Sequence, residues 1–122
     1  MLKETTVSQK EPNTFRRWFQ DTYFDLIVWY DMEDRSISGF QLCYDKPSDE
    51  HAFLWHKNSG FSHHAVDDSR SQHKHPATPL LVGDGIFPVE MIITRFRESS
   101  KEIDPVVRNL VIEKLSEYSA GT

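Results

Sequence analysis

The sequence predicts an α+β fold in which an antiparallel four-stranded β-meander is packed on one face by two C-terminal helices. Three observations carry that prediction. Two aromatic runs with period-two alternation, YFDLIVWYD and ISGFQLCYD, flank the short polar turn MEDRS and read as a central hairpin. Two further strand-like runs follow with short turns between them. The last third of the chain changes period, with apolar residues at helical spacing.

Residues 1–13 are polar, carry no apolar pattern and end in Pro12-Asn13, so they read as a flexible N-terminal arm ahead of a single domain over 14–122. In TFRRWFQD, Phe15, Trp18 and Phe19 stand at i, i+3 and i+4. That spacing fits one helical turn laid on the sheet; a leading strand is the alternative, and Arg16 and Arg17 point to solvent. In the hairpin, alternation places Phe24, Leu26, Val28 and Tyr30 on one face with Phe40, Leu42 and Tyr44. The opposite face takes Tyr23, Ile27 and Trp29 with Gly39, Gln41 and Cys43.

The turn DKPSDE leads to a third strand, HAFLWH at 51–56, and KNSG to a fourth, FSHHAV at 61–66. The polar stretch DDSRSQHKHPA at 67–77 reads as an exposed loop, and TPLLV at 78–82 as an edge strand or extended connection. Pro88 then suits the first turn of a helix whose stripe is Val89, Ile92, Ile93 and Phe96. Asp104-Pro105 is an N-cap followed by a first-turn proline, opening a second helix with Val107, Leu110, Val111, Leu115 and Tyr118 on one side. Both helices are expected on the Leu26 and Phe40 face, giving two layers.

A chain of 122 residues supports one core without covalent staples. Its formal charge is −5, and five acids against one base over 21–35 make the hairpin end the most acidic region. With no basic stripe, nucleic acid and anionic membrane surfaces are excluded as partners. The lone Cys43 allows no internal disulfide, no apolar run reaches spanning length, and no leader pattern opens the chain. A soluble cytoplasmic protein is the expectation.

All six histidines fall between residues 51 and 75, interspersed with Asp67 and Asp68. Imidazole and carboxylate are the ligands a divalent transition metal takes, so a site built from His63, His64, Asp67, Asp68, His73 and His75 would serve a metal-dependent enzyme, a hydrolase by default. Against it, neighbouring His63 and His64 point to opposite faces of a strand, and neither HExxH nor a cysteine pair is present. Solvated or hydrogen-bonded histidines are the ordinary alternative. Cys43 beside a histidine would make a nucleophilic pair, yet a lone strand cysteine is usually a small buried apolar group. Asp67-Asp68 beside His64 reads as a general base with its partner or as loop capping, and GDG at 83–85 as a phosphate cradle or a turn. No catalytic residue follows from these patterns.

More weight falls on the second sheet face. A sheet covered on one side normally turns a polar face to water, yet Ile27 and Trp29 sit there, with Trp55 or Leu54 added according to register. Such a patch marks a partner surface, or is buried within the monomer by Trp18 and Phe19 or by the long loop. The leading reading is a non-enzymatic binding or assembly module, pairing with a second copy through Trp29, Ile27 and Trp55. A protein partner is the other occupant that face allows, and a small-ligand carrier with the aromatic face as its pocket is a third, weaker reading.

The stretches RRWFQDTYFDLIVWYD, GFQLCYD, HHAVDD and TPLLVGDGIFP together resemble a group of small uncharacterised bacterial proteins, over residues 15–120. The resemblance implies a bacterial origin and an independently folding unit. It implies no site residue and no reaction.

Overall fold

The computed structural model describes residues 1–6, 14–66 and 88–121. Among these residues six strands and two helices form: β1 (Lys3–Thr5), β2 (Thr14–Gln20), β3 (Asp25–Asp31), β4 (Ile37–Tyr44), β5 (His51–His56), β6 (Gly60–Ala65), α1 (Val89–Ser99) and α2 (Pro105–Gly121). The strands make a single antiparallel sheet in the order β1-β2-β3-β4-β5-β6, a meander in which every neighbour in sequence is a neighbour in space. The α+β class and the two closing helices agree with the sequence reading. The strand count does not, since the sheet has six strands rather than four.

Both additional strands come from the N-terminal stretch. TFRRWFQ pairs with β3 along its whole length, from Thr14 opposite Asp31 to Gln20 opposite Asp25, so it is extended rather than helical. Extended backbone splits the three aromatics, with Phe15 and Phe19 beneath the helices and Trp18 on the other face. β1 adds Glu4 opposite Phe19, and Leu2 beside it is buried. The Leu2 amide donates to the Ser99 carbonyl at 2.8 Å, tying this strand to the end of α1.

The core lies between sheet and helices. Leu26, Val28, Phe40, Leu42 and Phe53 meet Ile92, Phe96, Val107, Val111 and Leu115, all of them at most 1% exposed. Phe24 meets Phe96 edge to face at 5.7 Å. The α2 stripe fills as its spacing predicts, and Asp104 caps the helix by accepting the Val106 amide at 2.8 Å. Arg108 covers the end of α1, donating to the Arg97 carbonyl at 3.1 Å and to Ser100 Oγ at 3.0 Å.

Arg17 does not face solvent. It lies on the helix side of β2, forks onto Glu4 of β1 through Nε and Nη2 at 2.9 and 2.8 Å, and reaches Asp104 at 2.9 Å and the Tyr30 hydroxyl at 3.2 Å through Nη1. One guanidinium thus joins two strands to the cap of α2. Pairing with Arg17 holds the Glu4 carboxyl below its ordinary range, and Asp104 is lowered by Arg17 first and by the Val106 amide second.

Irregularities at the hairpin end set what faces where. A bulge between Trp29 and Tyr30 shifts the register so that Ile37, not Ser38, opposes Tyr30 and packs on the core. In the turn, Asp31 and Asp34 accept the amides of Glu33 and Ser36 at 2.8 and 2.9 Å, and Arg35 closes it at φ 64°. That left-handed conformation costs a non-glycine residue roughly 1–2 kcal/mol. Gly39 answers a different constraint: a Cβ there would stand 2.7 Å from the Trp55 carbonyl oxygen. The neighbour is backbone and must move with its strand, so Gly39→Ala is expected to lower stability by about 1–2 kcal/mol in urea unfolding. No described helix is long and apolar enough to cross a membrane.

Candidate functional site

Because strand residues alternate between faces, the register defines the side of the sheet that α1 and α2 leave open. A row crosses it from Thr5 through Trp18, Ile27, Gln41 and Leu54 to Ser62. The adjacent row runs Arg16, Trp29, Gly39, His56 and Gly60. Trp18 of β2, Ile27 and Trp29 of β3 and Leu54 of β5 are therefore the large apolar residues of this face, each half-buried within the monomer, with Gln41 and Gly39 of β4 between Leu54 and the others. Gly39 sits between Trp29 and His56 and adds no side chain of its own.

The polar groups bordering this patch are already organised. Asp25 Oδ1 accepts Trp18 Nε1 at 3.3 Å, Gln20 Nε2 at 3.0 Å and Lys46 Nζ at 3.3 Å. On the far side Lys57 pairs with Asp31 at 3.2 Å, and Arg16 lies opposite Trp29. The rim thus mixes both signs of charge around an apolar centre.

Two of the three interface residues expected from sequence, Ile27 and Trp29, share this face. Trp55 does not join them. It faces the helices opposite Phe40, with the two rings 6.1 Å apart, and Lys114 Nζ lies 4.6 Å over its indole. Leu54 takes its place. Trp18 belongs to the patch as well, which the helical reading of its segment had hidden.

The histidines divide as strand alternation requires. His63 is buried on the helix side, its Nε2 2.6 Å from the Tyr44 hydroxyl, and its ring stacks with those of Tyr44 and His51 at 5.8 and 5.6 Å. His64 lies on the open face opposite Ala52. A single metal site would therefore use one of the pair but not both. Asp67, Asp68, His73, His75 and the GDG stretch at 83–85 lie outside the described residues, among which no group of three metal-ligating side chains comes together. Cys43 is buried in β4, accepts Gln41 Nε2 at 3.3 Å, and burial pushes its thiol up to about 11. A thiol so shifted is protonated at neutral pH and is a poor nucleophile.

No family model, curated protein or solved structure matches the chain.

Proposed function

We propose that the chain is a small cytosolic, non-enzymatic assembly module that pairs with a second copy of itself through the open sheet face. One observation carries the reading: Trp18, Ile27, Trp29 and Leu54 lie together on the face opposite both helices, inside a rim of mixed charge. Size supports it too, since five strands of six to eight residues and the three-residue β1, about 4.8 Å apart and at ~3.4 Å per residue, present a pleated face of up to roughly 24 by 24 Å. That is of the order of the ~800 Å² per partner in a standard interface. A second copy brings the same mixed rim, so Arg16 and Lys57 of one chain can meet Asp25 and Asp31 of the other about a two-fold axis.

The two tryptophans anchor the pairing, because buried aromatics at the centre of an interface dominate its energy. Trp29→Asp is expected to convert a dimer into a folded monomer, read by native mass spectrometry and by unchanged far-ultraviolet circular dichroism. Leu54→Asp provides an independent second change on another strand. A wild-type chain that stays monomeric at millimolar concentration would overturn the proposal.

A further inference from the structure

At the opposite corner of the molecule from Tyr44 and His63, a cleft of about 590 Å³ opens between the β3–β4 turn, the start of β2 and the first turn of α2. Phe15, Met32 and Val106 form its apolar walls and are 38%, 46% and 67% exposed, making them three of the five exposed large hydrophobic residues among the described residues. The Phe15 and Tyr30 rings pack against each other at 5.5 Å on one side. Volume and lining fall within the range of small-molecule sites, and of the lining residues only Asp31 also borders the sheet face proposed for pairing.

The charges in the wall decide what such a molecule would be. Asp104 is occupied by Arg17 and by the Val106 amide. Asp31 is occupied by Lys57 through one carboxylate oxygen and by the Glu33 amide through the other. Arg17 spends its donors on Glu4, Asp104 and Tyr30. Arg35 is different: its backbone amide closes the turn on the Asp31 carbonyl, and among the described residues its guanidinium has no hydrogen bond or ion pair. Glu33 and Asp34 share the turn but do not line the cleft, and Asp34 accepts both the amide and the hydroxyl of Ser36. The cleft therefore offers apolar walls and one unmatched cation.

That cation also stands where the backbone least favours it. At φ 64° the turn suits glycine or asparagine, yet an arginine occupies it. Strain of this kind is found at ligand-binding sites as well as in turns, and here the strained residue also lines the cleft. We propose that this cleft binds a small amphipathic carboxylate, its aromatic or aliphatic body against Phe15, Met32 and Val106 and its carboxylate paired with the Arg35 guanidinium. A fork-to-fork pair supplies orientation as well as affinity.

Arg35→Asn provides the test, because asparagine tolerates the left-handed conformation and removes only the cation. The probes are 2-naphthylacetate and its neutral amide, titrated into the full chain while backbone amide resonances are followed. Saturable shifts centred on Phe15, Met32, Arg35 and Val106 are expected with the acid. The amide, and the acid on Arg35→Asn, should each bind about tenfold more weakly, a difference of roughly 1.4 kcal/mol for the lost pair. Equal affinity for acid and amide, acid binding unchanged in Arg35→Asn, or no saturable shift at these residues at millimolar probe would overturn the proposal. None of these readings depends on the oligomeric state.

Discussion

Phe53→Ala is expected to remove about 3–5 kcal/mol of stability, the cost of emptying a fully buried phenyl site. Phe53 has no exposed surface and stands where three elements meet. Its ring lies 6.0 Å from Phe40 of β4, 5.7 Å from Phe61 of β6 and 5.2 Å from Tyr118 near the end of α2. Tyr118 and Phe61 also pack together at 5.5 Å, so the three rings form a closed set that cannot collapse on one side without opening on another. Residual cavity is what raises the cost of such changes, and a marginally stable domain has roughly 5–15 kcal/mol in all. Equilibrium urea unfolding measures the loss. Phe61→Ala, which removes a half-buried member of the same set, should cost clearly less. A loss below about 1 kcal/mol for Phe53→Ala would mean that the site refills and that the packing here is not rigid.

The parts of this fold that could be read from sequence are those whose signal is local. The β3–β4 hairpin was legible because its alternation is long, and Leu26, Val28, Phe40 and Leu42 share the core face as that alternation predicts. The helices were legible for the same reason, α2 additionally through Asp104-Pro105. β2 was ambiguous because one spacing serves two periods: Phe15, Trp18 and Phe19 fit a helical turn, while Phe15, Arg17 and Phe19 fit a strand. Only pairing with β3 decides between them. β1 carries no local signal at all, being three polar residues that become a strand through β2 and through the fork of Arg17 on Glu4.

The candidate site shows the same division. Ile27 and Trp29 were placed on the open face because the period of β3 is unbroken there. Trp55 was not separable from Leu54 until the register across the DKPSDE turn was known, since a shift of one residue exchanges the two faces. Asp45, at φ 58° where that turn begins, is part of what sets the register and leaves no mark in composition. The bulge that turns Ile37 inward was likewise invisible, as an extra residue in one strand is defined only by its partner. For the ligand cleft, Arg35 within a polar turn reads as an ordinary solvated charge. Its distinction lies in the neighbours that have satisfied one another and left it out.

Arg17→Met is expected to lower stability by about 2–3 kcal/mol at neutral pH, through the loss of several charge-assisted hydrogen bonds at one partly buried centre. Methionine keeps an unbranched apolar stem near Phe19, over whose ring the guanidinium lies at 5.1 Å, so the polar links are what the change removes. Glu4 and the Asp104 cap would then face each other's charge without the cation between them. The dependence on pH distinguishes this from a packing defect. Glu4 and Asp104 are both held below their ordinary values by Arg17, so each favours the folded state fully above its unfolded value of about 4, and that contribution is lost as pH falls through the lower folded value. Stability of the parent chain should therefore drop on acidification through this window, while that of Arg17→Met drops less and the two curves converge. Asp104 retains its bond from the Val106 amide, so a shallow acid limb persists in the variant. Two parallel curves, separated by the same amount at neutral and acidic pH, would mean that Arg17 acts through its packing alone and not as the charged link between β1, β2 and α2.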